Sequence, residues 1–245
     1  MEQPRNETVA GFAAWAATYD ETVAREVEQY SGMPYEEMLR RVVQAAELSP
    51  GDHVLDVGAG TGSLSLAVAQ HLPEGRVVGI DPTGEMLARA RQHAQASGMA
   101  GRVEFRQEAA ESLPFPDASF DAVVSSIALH HTTVRQSLRE IFRVLKPGGR
   151  LAIADMSAIA KFRGCLGLLL PPVTCLYYLV VKRSVPMMRA ELAALRQVFL
   201  KQEWKAMLRE VGFVSIEVQE FRNTASEWLP SMLVIRARKE DTSLQ

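Results

Sequence analysis

Asp56 ends the apolar run "VLDV", and Gly58, Gly60 and Gly62 follow it at every second position. Glycines at that spacing let a backbone turn tightly and approach a ligand at the start of a helix. The pattern is GxGxG, with Ser63 standing where the GxGxxG of dinucleotide loops has its last glycine. A carboxylate beside such a loop repels a pyrophosphate but accepts hydrogen bonds from a cationic amino group. A second acid, Asp81, follows "VVGI" 19 residues beyond Gly62, about where nucleotide-binding α/β folds hold ribose hydroxyls. Two acids and a bare loop call for a nucleoside that carries an ammonium and no phosphate. S-adenosylmethionine (SAM) meets all three requirements. Each acid also fits a plainer role: Asp56 as a cap on the glycine loop, and Asp81, just before Pro82, as the N-cap of the next helix.

Methyl transfer from a sulfonium needs in-line positioning of the acceptor and, where the acceptor bears a proton, a base. An imidazole near its ordinary pKa takes up a proton at neutral pH. His131, then His130, are the candidate bases, since both stand at the end of an apolar run; Asp155, ending the next such run, is a further candidate. Either histidine equally fits packing over a sheet or capping the helix that begins near Val134. His53 lies at the wrong end of its run, while His71 and His93 fall on helical segments and are expected to face solvent.

The elements that must hold these residues alternate between two periods. Short β-branched runs at 53–57, 76–80, 102–106, 121–126 and 150–155 are separated by helical spacing at Ser63–Gln70, Gly84–Ser97 and Val134–Leu145. In the last of these, Leu138, Ile141, Phe142 and Leu145 form one apolar stripe, which Pro147, Gly148 and Gly149 are expected to end. Runs that are apolar throughout predict a parallel sheet covered on both faces. Two late runs, Phe213–Val218 and Met232–Ala237, lack a long helix between them and read as an antiparallel edge pair. The expectation is a doubly wound, Rossmann-like α/β domain of seven strands, mostly parallel, with an antiparallel edge strand. Ligands in such a sheet sit beyond the carboxyl ends of the strands near the topological switch point.

The chain has 245 residues, 47% of them hydrophobic, which suits one substantial core and a single domain. A net charge of -2 with evenly mixed signs offers no basic stripe for nucleic acid. Two cysteines, Cys165 and Cys175, are too few for a disulfide framework and suit a reducing compartment; no metal-ligand spacing is present. The polar start "MEQPRNETVAG" lacks the features of a signal peptide, so a cytoplasmic protein is expected.

"WAATYD", "VLDVGAGTG", "VVGIDPTGEMLARAR", "ESLPFPDASFDAVVSSIALHH" and "EIFRVLKPGGRLAIAD" together resemble class I SAM-dependent methyltransferases of the ubiquinone/menaquinone C-methyltransferase-like group. The resemblance is strong over residues 10–155 and generic beyond. It implies a helical lid over 1–45, a SAM-binding core over 46–155, a substrate-side insertion over 156–200, and a final helix with edge strands over 201–245. Gly58, Ala59, Gly60 and Gly62 would cradle the methionine part with Asp56, and Ser125 would stand nearby. Asp81, Pro82 and Met86 would hold ribose and flank adenine, and Tyr19 would reach the methionine carboxylate from the lid. Phe12, Trp15 and Tyr19 also fit ordinary helical packing. One departure concerns the acid expected after the third strand, for the matching position is Ala109. Either Glu108 or Glu111 reaches the adenine amino group, or the contact falls to water and the Ala110 backbone.

The resemblance is much less informative about the acceptor. Within the insertion, Gly164–Val181 is uncharged and almost long enough to span a bilayer, but Pro171 and Pro172 interrupt it, so two short apolar helices with a proline elbow are expected. Such a wall implies an apolar acceptor, a quinone precursor or another lipid. With Lys161, Arg163, Lys182 and Arg183 flanking the run, reversible contact of 161–183 with a membrane surface is expected; packing into the core or a homodimer contact would also cover it. Cys165 and Cys175 would suit a soft metalloid acceptor, or serve as small buried hydrophobes. A non-catalytic SAM-binding regulator is the alternative to an enzyme. Tyr178 and Lys182 have the YxxxK spacing of short-chain dehydrogenases, but the loop lacks that family's glycines and Asp56 opposes a pyrophosphate.

Overall fold

The computed structural model describes residues 3–159, 165–181, 183–224 and 229–241. Three helices, α1 (Gln3–Trp15), α2 (Tyr19–Ser31) and α3 (Tyr35–Ala45), precede a doubly wound unit. That unit runs β1 (His53–Val57), α4 (Ser63–Gln70), β2 (Arg76–Ile80), α5 (Gly84–Ala96), β3 (Val103–Arg106), β4 (Phe120–Ser126), α6 (Val134–Val144) and β5 (Leu145–Ser157). The short α7 (Leu170–Leu176), α8 (Val185–Ala194) and α9 (Lys201–Val211) follow, and β6 (Phe213–Phe221) and β7 (Ser231–Lys239) close the chain. The sheet has seven strands in the order β3-β2-β1-β4-β5-β7-β6. Strands β1 to β5 pair in parallel, and β7 lies antiparallel between β5 and β6. The expected sheet is present, with the reversed strand one place in from the edge.

Why the strands are apolar throughout is visible in the core. In β5, Ala152 and Ala154 pack on one face with α2 to α5, while Leu151 and Ile153 pack on the other with α6 and α9. Successive side chains of a strand point to opposite faces, so a sheet covered twice needs both. Helix α6 buries Val134, Leu138, Ile141 and Val144, whereas Phe142 is only half-buried. Its end differs from expectation. The helix stops at Val144, and Leu145 already pairs with Phe120 in the sheet, leaving Lys146–Gly149 as an irregularity before Arg150 meets Ala122.

Two expectations about the flanking segments change. Helix α3 buries Met38, Leu39, Val42 and Val43 in the sheet's core, so the covering over the strand ends is α1 with the start of α2 rather than all of 1–45. In the insertion, Pro171 and Pro172 occupy the first turn of α7, where a missing N–H costs no bond; they begin a helix instead of breaking one. A 3-10 turn over Cys165–Leu169 precedes α7 and a π-turn over Tyr177–Val181 follows it. No described helix is long and apolar enough to cross a membrane.

Candidate cofactor and acceptor site

The order of strands reverses between β1 and β4, and a cavity of about 580 Å³ opens above that point. Its floor is the glycine loop. Gly58 N and Ala59 N both donate to Ile80 O at 2.8 Å, which draws the loop over β2. Gly58 has φ +74°, and a Cβ there would lie 2.2 Å from Ala128 Cβ, so only glycine lets the β1 and β4 ends meet. Gly62 serves packing instead: a Cβ on it would press against Phe105 and Ala90, away from the cavity. Ala59 is buried by its own bond to β2, and Ser125 Oγ donates to Val57 O at 2.7 Å across the strands. Like Asp56 beneath the loop, Gly62, Ala59 and Ser125 do not line the cavity.

Asp81 does face it. The carboxylate accepts from Gly60 N at 3.0 Å and from Thr83 N at 2.8 Å, so it pins the loop and starts α5 at once. Burial raises its pKa, against the lowering effect of those two backbone donors. Each oxygen keeps a lone pair for hydroxyls in the cavity. Asp56 lies beneath the loop, fully buried, and does not line the cavity. Its Oδ2 accepts from Ser65 Oγ at 2.6 Å while Oδ1 has no partner. Burial pushes Asp56 up to about 7 despite the Ser65 bond.

Further groups stand by the loop, Tyr19 as expected and Tyr35 and His93 beyond expectation. Tyr35, at the start of α3, feels the charge of Asp56. Tyr19, on the cavity side, lies next to Gly60 and is raised well above the ordinary tyrosine value, chiefly by burial and then by Tyr35, Asp81 and Asp20. Asp20 accepts from Thr61 Oγ1 at 2.5 Å, tying α2 to the loop. His93 contributes as well. Its Nδ1 lies 3.0 Å from Thr61 O, so it packs on the loop rather than turning to solvent.

Pro82, Met86, Glu108, Ala109 and Ala110 enclose the far end of the cavity. Of the two glutamates there, Glu111 is engaged: its Oε1 accepts from Thr133 N at 3.0 Å and its carbonyl from Gln136 Nε2 at 2.9 Å. Glu108 remains for an exocyclic amine. Glu108→Ala should therefore weaken SAM more than an analogue lacking the adenine amino group, by about tenfold, on the scale of one charge-assisted hydrogen bond. Equal losses for both ligands in titration calorimetry would leave that contact to the Ala110 backbone.

The opposite end holds the two histidines. A 3-10 turn over Leu129–His131 brings His130 above β5. His130 Nδ1 lies 2.5 Å from Asp155 Oδ1, and His130 N donates to Asp155 Oδ2 at 3.1 Å. Burial opposes the charged imidazole, but the Asp155 carboxylate outweighs it and raises the pKa of His130. With Nδ1–H donating to the carboxylate, Nε2 carries the lone pair that can accept. His131 stacks against His130 at 4.1 Å and meets the edge of Phe12 at 4.8 Å. Its Nδ1 has no partner, and burial, then the neighbouring His130, holds its pKa well below the ordinary value. His130 therefore has an orienting carboxylate that His131 lacks, and Asp155 is engaged with His130. Met156 N also donates to Asp155, at 2.7 Å.

Thr8, Val9 and Phe12 of α1, with Ala190, Ala193 and Ala194 at α8, close the cavity on this side. No Lys or Arg lines it among the described residues. The groups present fit SAM: an unpartnered buried carboxylate oxygen for an ammonium, a cradle only glycine allows, and Asp81 for ribose. The leucines of 168–179 do not line the cavity; α8 supplies that wall. Tyr178 is not at the cavity either, and Lys182, its YxxxK partner, lies outside the described residues, as do the Lys161 and Arg163 calls and the Cys165 side chain. Cys175 is free and half-buried, and no cluster among the described residues could hold a metal.

Comparison with known proteins agrees with this geometry. Residues 54–149 match the family described as "Methyltransferase domain". The chain is 38% identical over 120 residues to a ubiquinone/menaquinone biosynthesis C-methyltransferase, UbiE, of Geotalea daltonii, covering 48% of this chain and 51% of that protein. It is 42% identical over 120 residues to the uncharacterized methyltransferase YcgJ of Bacillus subtilis, covering 49% and 46%. The chain thus spans about half the length of the curated relatives it matches. The crystal structure of Bacillus subtilis YcgJ superposes with a TM-score of 0.64 at 25% identity, over 84% of this chain and 99% of that one. Residues 54–149 are a methyltransferase domain of the class I, SAM-dependent type.

Proposed function

We propose that the protein is a SAM-dependent methyltransferase whose acceptor is a small, apolar molecule with an ionisable hydroxyl, such as a quinone precursor or another lipid-like compound. The observation that carries this reading is one continuous cavity with the glycine loop and Asp81 at one end and the His130–Asp155 pair at the other. The names of the relatives that act in quinone biosynthesis support the acceptor class, as do the apolar walls from α1 and α8.

When bound, SAM supplies a methyl group already activated on its sulfonium. The chain's own residues do the rest. Asp56, buried beneath the glycine loop, attracts the ammonium toward that loop, Asp81 orients the ribose, and Tyr19 shields the loop. Val9, Phe12 and Ala194 hold the acceptor's apolar body, and their packing keeps water from a charged donor. His130 Nε2 accepts the hydroxyl proton as nucleophilic character develops, and Asp155 stabilises the imidazolium that results. His131, held neutral, adds no competing positive charge.

Two measurements test this. Asp81→Ala should cost SAM about 1.5 to 3 kcal/mol, the scale of charge-assisted hydrogen bonds, with NADH binding undetectable throughout. Unchanged SAM affinity in calorimetry would remove the cofactor assignment. Incubation with a lipid and quinone extract should give a product one methyl heavier by mass spectrometry. SAM binding without such a product from any extract would favour a regulator.

A further inference from the structure

Large hydrophobic side chains exposed among the described residues are unevenly placed: all but Val214 lie between Leu168 and Val185. Leu168 is 79% exposed, Leu176 66% and Val173 61%. Leu169, Val173, Leu176 and Val180 follow one another at spacings of four, three and four, so one side of α7 and its π-turn is an apolar stripe turned to solvent. A stripe of this kind, projecting from a fold that otherwise buries its hydrophobes, marks a surface that meets something apolar.

Charge identifies what it meets. Between Met156 and Ala190 there is no Asp or Glu, while Lys161, Arg163, Lys182, Arg183 and Arg189 all fall there, in a chain whose net charge is -2. Arg183 and Arg189 are exposed on either side of Val185. A second copy packed on this stripe would set the same cationic segment against itself. An anionic bilayer complements both properties, taking apolar side chains below its headgroups and basic ones among them.

We propose that residues 168–185 form a docking arm that inserts its apolar stripe into an anionic lipid surface. The arm leads directly into α8, whose Ala190, Ala193 and Ala194 wall the cavity against α1, so docking sets that wall beside the bilayer. The docking itself does not depend on the methyl-transfer reading.

Flotation of the full chain with vesicles tests it, using phosphatidylglycerol mixed into phosphatidylcholine, and phosphatidylcholine alone. The expected result is flotation with the anionic vesicles, reduced at least about tenfold on neutral ones and by Arg183→Glu. The Leu169→Glu, Leu176→Glu double variant should lose flotation to a similar degree with an unchanged thermal midpoint, since both side chains are exposed. A wild type that stays out of the anionic fraction, or a double variant that floats as the wild type does, overturns the proposal. So does a dimer in light scattering that the double variant dissociates without any vesicle binding, which would assign the stripe to a second copy.

Discussion

Asp155→Asn is expected to lower turnover on a hydroxyl-bearing acceptor by about a hundredfold or more while leaving SAM affinity within a few-fold, the range ascribed to a positioned acid–base pair. Asp155 is fully buried and accepts from both the ring and the backbone of His130, so it fixes the ring and favours its charged form together. Removing the carboxylate charge withdraws the influence that raises His130, and burial then pulls its pKa down. The base form of His130 is the neutral one, so turnover in the wild type rises with pH through the raised pKa. In the Asn variant that rising limb should move to lower pH even as its plateau falls. A purely structural role for Asp155 would lower the plateau without moving the limb. A limb that stays in place would thus remove His130 as the base, and wild-type turnover would remove any role for the pair.

The bounds of β1, β2 and α4 coincide with what the sequence predicts, because strands covered on both faces leave an unbroken apolar run between polar ends. Asp56, Asp81 and the glycines were legible for a related reason: a close backbone approach admits few residue types, so spacing alone carries chemistry. Facing is harder to read. Ser125 and Ser126 are neighbours in β4 and point to opposite faces, so a motif that covers both cannot say which hydroxyl is bonded. Ser125 Oγ donates to Val57 O, while the buried Ser126 hydroxyl has no partner.

The same limit explains the histidines. His130 and His131 are adjacent and chemically identical, and what distinguishes them is Asp155, 25 residues away on β5. Only the pairing of β4 with β5 brings that carboxylate beneath one ring and leaves the other against Phe12. Tyr35 left no trace in the sequence because its role depends on α3 packing into the core, where a tyrosine at a helix start reads as ordinary packing. Composition likewise marked 164–181 as apolar without indicating its direction, and the structure turns that run outward while α8 takes the cavity wall.

Asp56→Asn should make the ligand-free protein more stable and a far weaker binder of SAM. A buried carboxylate whose pKa is pushed from 3.8 to about 7 keeps, in the folded state, a proton that the unfolded chain has already released. Folding is then unopposed by Asp56 below about pH 4, loses stability as pH rises from there to 7, and above 7 bears the full cost, on the order of 4 kcal/mol. The unpartnered Oδ1 is the structural source of that cost. Asparagine carries no charge to desolvate, so at about pH 8 the variant's thermal midpoint should exceed the wild type's by roughly 10 °C, and the wild type's decline between about pH 4 and 7 should flatten. An ammonium drawn toward Asp56 offsets the same cost in the wild type. Cofactor affinity should accordingly strengthen as pH rises toward 7, as the carboxylate becomes available without paying for deprotonation, and binding below 7 should release a proton. In the variant, affinity should fall about 10- to 100-fold, the loss of one charge-assisted contact, and lose this pH dependence. Thermal melts and titration calorimetry across the range measure both halves. An Asn variant that binds SAM as tightly as the wild type at pH 8 would mean the ammonium is held elsewhere, and a wild-type melting curve indifferent to pH would mean that Asp56 finds a partner in the free protein.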